Sequence, residues 1–190
     1  EIVADGFFGR GAKLPDDKAF IQLTFPDRVP PEGTVEFFVK PDWSSTPDPT
    51  PASDGVIRHI FAWAPMTKDA MLWVYFLDEL GAYTGVRVHG PHGKPNLTRN
   101  VDFKQGEWHH LALCWKTRRD GGLELIHFVD GIRCIQGSLG KGDLPASVRF
   151  QQELNIGSYP GCPTRGIIDE LRVSNVARYD EGLAIPRKRE

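Results

Sequence analysis

The sequence predicts an all-β protein of two packed antiparallel sheets, and three observations carry that prediction. Glycine (20) and proline (15) are spread along the 190 residues, where they punctuate short runs rich in Val, Ile, Phe, Trp and Tyr. No stretch holds a long apolar period of 3.6 residues between caps, and the one short helix the pattern suggests covers Asp143–Val148. The dipeptide Asp130-Gly131, inside "HFVDGIRC", is the signal of a two-residue hairpin turn. Many strand-length runs with no helices for crossovers call for two antiparallel layers.

The expected strands are Ala19–Phe25, Gly33–Pro41, Ile57–Ala64, Ala70–Asp78, Ala82–His89, Thr98–Phe103, Trp108–Lys116, Leu123–Val129, Ile132–Ser138, Glu153–Ile156 and Ile167–Ser174. In "GTVEFFVKPDW", Val35, Phe37 and Val39 alternate with Glu36, Phe38 and Lys40, which suits a strand with one face on a core. In "GEWHHLALCW", His109, Leu111, Leu113 and Trp115 share one face, and Trp108, His110, Ala112 and Cys114 the other. Neither face is strongly polar, so this strand is expected to be central and covered on both sides. The Pro-rich piece "KPDWSSTPDPTPASDG" is the longest irregular stretch. Strand-like runs continue on both sides of it at the same density, so residues 41–55 read as a rim loop of one domain spanning 1–190.

Bulk composition narrows the class. Hydrophobic residues make up 40% and charged residues 25%, ordinary values for a soluble globular chain. The formal net charge of −2 supplies no basic field for nucleic acid or anionic lipid, and no apolar run approaches the length of a membrane span. The opening "EIVADGFFGRG" has neither an initiator Met nor a basic-then-apolar leader, so the chain is expected to be a domain excised from a longer protein. Three cysteines, Cys114, Cys134 and Cys162, include no CxxC pair; Cys114 and Cys134 flank a hairpin and pair if the register permits. Asn96-Leu97-Thr98 fits a glycosylation acceptor triplet.

Six segments occur in a telling order: "GFFGRGAKL", "GTVEFFVKPDW", "GEWHHLALCW", "HFVDG", "LNIGS" and "GIIDELRVSNVAR". Together they resemble a LamG-like domain of the concanavalin A-like lectin/glucanase superfamily, in the bacterial branch related to pentraxins. The resemblance spans nearly the whole chain. It implies a jelly-roll sandwich of two curved antiparallel sheets, with first and last strands side by side. It also implies an extracellular or cell-surface setting, because such domains are commonly appended to secreted proteins.

Strict alternation along the last strand puts Ile167, Asp169, Leu171 and Val173 on one face, so Asp169 is expected in line with core residues. An unpaired buried carboxylate costs several kcal/mol or more, which demands compensation. Three answers are open: hydrogen bonds from backbone N–H groups of a neighbouring turn, an ion pair with Arg10 or Lys13, or a Ca2+ ion. Calcium takes hard oxygen ligands, and the resemblance implies it, with Asp5 as a second carboxylate beside Asp169. Asp16, Asp17 and Asp42 are further candidates, although no dense DxDxDG loop is present.

Catalytic patterns are weak. A retaining glycosidase needs two carboxylates about 5–5.5 Å apart, which neighbouring strand positions i and i+2 provide. No such acid run occurs, and the adjacent acids Asp78-Glu79 and Asp169-Glu170 point to opposite faces of a strand. No GxSxG, Walker or HExxH motif is present.

A ligand face is better founded. In "AMLWVYFLD", Leu72, Val74 and Phe76 suit the core, leaving Met71, Trp73, Tyr75 and Leu77 on the other side. If this strand pairs with "AYTGVRVHG" as a hairpin, Trp73, Tyr75, Arg87 and His89 share the non-core face. Flat apolar sugar faces stack on aromatic rings while hydroxyls take polar hydrogen bonds. An inert alternative makes these residues a second minor core, covered by the long loop and Trp43. The first expectation is therefore a carbohydrate-binding module, aided or stabilised by Ca2+. The alternatives are a protein-interaction or structural surface domain and a glycan-cleaving enzyme of the same superfamily. The expected partner is a glycan or surface protein, without nucleic acid and without membrane insertion.

Overall fold

The computed structural model describes residues 1–16, 18–25, 30–44, 58–63, 71–77, 83–89, 95–100, 103–139, 153–157 and 164–179. All regular elements among them are strands: β1 (Ile2–Gly6), β2 (Gly9–Leu14), β3 (Phe20–Thr24), β4 (Glu32–Pro41), β5 (Arg58–Trp63), β6 (Met71–Leu77), β7 (Tyr83–His89), β8 (Pro95–Asn100), β9 (His109–Thr117), β10 (Leu123–Val129), β11 (Ile132–Leu139), β12 (Glu153–Gly157) and β13 (Gly166–Ser174). They form a seven-stranded sheet in the order β1-β2-β13-β4-β9-β10-β11 and a six-stranded sheet in the order β3-β12-β5-β6-β7-β8. Every pairing is antiparallel. The expected helix at Asp143–Val148 and most of the Pro-rich rim loop lie outside the described residues. No helix among the described residues is long and apolar enough to cross a membrane.

The core lies between the sheets. Val35, Phe37 and Val39 of β4 and Leu111, Leu113 and Trp115 of β9 face Ile60 of β5 and Leu154 and Ile156 of β12. Burial of this apolar surface is the main stabilising term, at roughly 25 cal/mol per Å2 removed from water. Trp43 belongs to this core rather than to an outer cover. It is buried, stacked parallel to Phe103 with ring centroids 5.7 Å apart, and its Nε1 donates to the Thr164 carbonyl at 2.5 Å.

The β10–β11 hairpin turns at Asp130 (φ 50°) and Gly131 (φ 74°), the two positive φ values a type I′ turn requires. Strand β9 is central, between β4 and β10, and His109 through Trp115 are all buried.

Four expectations change. The first two strands form a hairpin that the strand-length pattern did not reveal, and it is β2, not β1, that pairs with the last strand. Strand β8 runs earlier than expected, and Phe103 leaves the ladder to become a fully buried core ring. Cys114 carries a free thiol on the outer face of β9, whereas Cys134 packs on the inter-sheet core from β11. With β10 standing between their strands, the two sulfurs cannot bridge.

The fourth change concerns β13. One extra residue enters between Asp169, opposite Phe38, and Arg172, opposite Glu36, and Glu170 takes a left-handed φ of 53°. Strict alternation therefore fails. Ile168 faces the core before the bulge and Leu171 packs on it afterwards, while Asp169 and Arg172 both lie on the outer face. Asp169 is thus not in line with the core residues.

Close packing makes Gly33 irreplaceable, since a Cβ there would sit 2.2 Å from the Trp115 ring. That ring is pinned by its Nε1 donating to the Pro30 carbonyl at 2.9 Å. Gly33→Ala is expected to lower stability by about 1–3 kcal/mol, read as a lower denaturation midpoint at unchanged m-value. An unchanged midpoint would mean that the indole yields freely.

Candidate functional site

The molecule has two outer faces, and their chemistry differs. On the seven-stranded sheet, β4 turns Thr34, Glu36, Phe38 and Lys40 outward, beside His110, Ala112 and Cys114 of β9. Glu36 is almost fully buried at 2% exposure. Its carboxylate accepts from Arg172 Nε and, at 2.5 Å, from the Tyr179 hydroxyl. His110 Nε2 lies 3.3 Å from it and Arg178 Nε 3.8 Å. Burial alone would raise the Glu36 pKa. Hydrogen bonds from His110, Arg172 and Tyr179, together with the Arg172 charge, outweigh it and hold the carboxyl at about 2. The same contacts raise the Arg172 pKa, while burial and the Glu36 carboxylate raise that of Tyr179.

The segment 175–179 lies over this face. Thr34 Oγ1 donates to the Val176 carbonyl at 2.9 Å and accepts from the Arg178 N–H at 3.0 Å. Its one proton is thereby used, so the Cys114 thiol is the donor in their 3.3 Å contact. Ala177 and Tyr179 pack on Ala112, Cys114, Ile126 and Phe128, and burial pushes the Cys114 thiol pKa up. An inert buried thiol results.

At the other end of the face, the β1–β2 turn folds over Phe38. Phe7 stacks on that ring at 3.9 Å and meets Trp108 edge-on at 5.6 Å. Asp169 holds the turn in place: its Oδ2 accepts from the Phe8 N–H at 2.9 Å and its Oδ1 from the Glu170 N–H at 2.8 Å. A Cβ at Gly6 would come within 2.7 Å of Asp169 Oδ2, so only glycine lets the strand approach this closely. Asp5 is paired with Lys40, whose ammonium also lies 5.3 Å from the Trp108 ring centroid. Both carboxylates expected to hold calcium therefore have protein partners. Among the described residues no group of three or more His, Cys, Asp or Glu gathers as a metal site would require.

The two adjacent histidines take separate structural posts. His109 Nδ1 donates to Asp130 Oδ2 at 2.7 Å, its Nε2 accepts from the Lys104 N–H at 3.3 Å, and its ring stacks on Phe103. The other Asp130 oxygen accepts from the His110 N–H at 2.8 Å, so one turn carboxylate orders both residues. His127 is fully buried. Burial lowers its pKa to about 4, against the raising effect of its 3.1 Å hydrogen bond to the Ala112 carbonyl.

The six-stranded sheet carries the expected ligand face. Strands β6 and β7 pair with Trp73 opposite Arg87, Tyr75 opposite Gly85 and Met71 opposite His89. Residues opposite one another in an antiparallel ladder share a face. The backbone register thus brings Trp73, Tyr75, Arg87 and His89 to one side of the hairpin; their side chains lie outside the described residues. That side is the outer one, because Ala62 links Trp73 to Asn155, and the neighbours of Asn155 on β12, Leu154 and Ile156, are both fully buried in the core.

Two antiparallel sheets with a common core and decorated outer faces define a lectin-like β-sandwich. The chain belongs to the concanavalin A-like lectin/glucanase superfamily, whose Laminin_G_3 family model matches residues 16–184. No curated protein sequence matches the chain. Among solved structures, it is similar to the heptameric SAP-like pentraxin of Limulus polyphemus (18% identity, 88% of this chain and 76% of that one, TM-score 0.53). It is also similar to domains LG4-5 of the mouse laminin α1 chain (13% identity, 90% of this chain and 44% of that one, TM-score 0.58). A third is the CBM40 of the Ruminococcus gnavus IT-sialidase bound to α2,3-sialyllactose (13% identity, 89% and 91% covered, TM-score 0.51). The chain spans less than half of the laminin fragment.

The buried titratable groups set an acid-stability profile. Glu36 has a folded pKa of about 2 against 4.5, so its contribution is complete above pH 4.5 and lost as the pH falls toward 2. His127 has a folded pKa of about 4 against 6.5, so the unfolded chain gains a proton that the buried ring refuses as the pH falls from 6.5 to 4. Urea midpoints should therefore decline in these two stages. His127→Asn, which retains a donor toward Ala112, should flatten the first. Glu36→Gln should remove the second and lower stability at neutral pH by about 3 kcal/mol. A profile that neither substitution alters would contradict both assignments.

Proposed function

We propose that this chain is a non-catalytic recognition module that binds carbohydrate on the outer face of its six-stranded sheet. Trp73 and Tyr75 supply stacking surface, and Arg87 and His89 supply hydrogen bonds to hydroxyl or carboxylate groups. The observation that supports the reading is the β6–β7 register, which aligns these four residues along one side of the hairpin. Superfamily membership and the sialyllactose-bound CBM40 of similar fold add support. The setting proposed is an extracellular or cell-surface protein, in keeping with the laminin likeness.

Screening on a glycan array, with a reducing-sugar release assay on every hit, tests the reading. Binding without release is expected, and Trp73→Ala should weaken it about tenfold while leaving the melting curve intact. Turnover would make the protein an enzyme of the same superfamily. Silence on the array would favour a protein partner.

Calcium at Asp169 and Asp5 remains a proposal of its own, in competition with the hydrogen bonds and the ion pair those carboxylates already make. The reading favoured for both residues is structural. Melting temperature should then be unchanged by EDTA, and Asp169→Ala should cost about 1–3 kcal/mol with or without chelator. A melting temperature that EDTA lowers in the parent protein but not in Asp169→Ala would establish the metal instead.

A further inference from the structure

A sandwich of seven strands over six leaves one strand with no counterpart in the other layer. On one side the layers close where β11 packs on β8. On the other, Leu14 of β2 lies over Gly157 of β12, close to Phe20 of β3: a Cβ at Gly157 would come within 2.8 Å of Leu14 Cδ1 and 3.2 Å of Phe20 Cα. Strand β2 therefore stands over β3, the last strand of its sheet, and β1 projects one strand beyond it. Burial shows the same overhang. Ile2, Ala12, Ile168 and Val39 lie opposite one another across β1, β2, β13 and β4, so they share the core-facing side. Val39 and Ile168 are buried, Ala12 is half-buried and Ile2 is 58% exposed. Ile2 thus faces inward at a place where, among the described residues, no strand lies beneath it.

Each sheet has two edges, and a bare edge invites pairing with other chains; charges, prolines and bulges on the edge strand prevent it. Three of the four edge strands carry such devices. Strand β1 has Asp5 and one extra residue between Val3 and Gly6. Strand β11 has Arg133 and the extra residue Cys134 opposite the His127–Phe128 step. Strand β8 has Pro95, Arg99 and the extra residue Asn96. Strand β3 has none of them. It holds no charge and no proline, and its pairing with β12 runs unbroken from Phe20 opposite Gly157 to Thr24 opposite Glu153. Along its other side, alternate N–H and C=O groups have no backbone partner among the described residues. Ile21 and Leu23 pack on the core, while Phe20 (51%), Gln22 and Thr24 are exposed.

We infer that the free edge of β3 docks an extended segment of a partner protein, which adds to the six-stranded sheet as a seventh strand beneath β1. Main-chain hydrogen bonds to β3 supply affinity, and alternate side chains supply specificity. The position sets the chemistry of the segment. It matches the five residues of β3 and alternates apolar with polar side chains, the apolar ones turned inward to cover Ile2 and the polar ones outward beside Phe20, Gln22 and Thr24. The overhang also selects the occupant. An antiparallel pairing of β3 with the same strand of a second copy would bring that copy's β2 into the layer above, where β1 already stands. A single added strand fits beneath β1 without that collision. The inference is independent of the carbohydrate reading, which concerns β6 and β7.

A random dodecapeptide library, panned on the full chain after depletion on Ile2→Lys, tests it. Ile2 is exposed on an edge strand, so the variant should keep the parent melting curve. Surviving peptides should alternate apolar and polar residues and bind the parent chain at least about tenfold more tightly than the variant. The strongest is then resynthesised with backbone N-methyl groups on alternate residues, in each of the two phases. One phase removes the donors that face β3 and should weaken binding about tenfold or more; the other should change it by less than about threefold. This phase dependence is read on the parent chain, so it remains a test if Ile2→Lys fails to fold. A depleted library that yields no binder, or a peptide that both phases affect equally, overturns the docking site. Concentration-dependent dimerisation of the parent chain that Ile2→Lys abolishes would overturn it in favour of a second copy.

Discussion

A single carboxylate on a central strand organises one half of this molecule. Glu36 sits on β4 with neighbours on both sides and cannot reach water, so its charge must be matched within the protein. The match comes from Arg172 on β13, His110 on β9 and Tyr179 beyond the last strand. Those partners tie the middle three strands of the seven-stranded sheet to the segment that crosses them. Removal of one partner would leave a buried charge short of compensation, which is costlier than the loss of a surface ion pair.

That arrangement depends on the bulge in β13. If the same residues ran in unbroken alternation from Ile168, Arg172 would fall on the core side and Glu36 would lose its cation. The bulge also leaves Asp169 outward, where it receives the N–H of Phe8 and fastens the first hairpin over Phe38. Two acids, one on each side of the bulge, thus secure the two covers of the same face. Covered in this way, β9 tolerates His110, Ala112 and Cys114 opposite its core-facing residues, each of them buried or hydrogen-bonded.

The consequence for function is a division of labour between the faces. Apart from the unpartnered His110 Nδ1, the polar chemistry described on the outer face of the seven-stranded sheet is engaged in holding the chain to itself. The proposed recognition chemistry lies on the six-stranded sheet, where the β6–β7 register aligns it. A structural acid and a ligand-binding residue look alike in composition; their partners distinguish them.

Local rules were enough for the all-β class, most strand positions, the Asp130-Gly131 turn and the shared face of Trp73, Tyr75, Arg87 and His89. Each follows from a period of two residues or from turn chemistry, and both are written in adjacent residues. The buried Glu36 was legible only as a lone acid in the run "VEFFV", because its hydroxyl partner Tyr179 is 143 residues away. The inward placement of Asp169 failed because a bulge centred on Glu170, without a glycine to announce it, shifted the phase of the strand. Sequence alone therefore determined which residues alternate and where the chain turns. Tertiary structure alone decided which strands are neighbours, where the alternation slips and which charges meet, because those choices minimise the free energy of contacts between segments that no local pattern links.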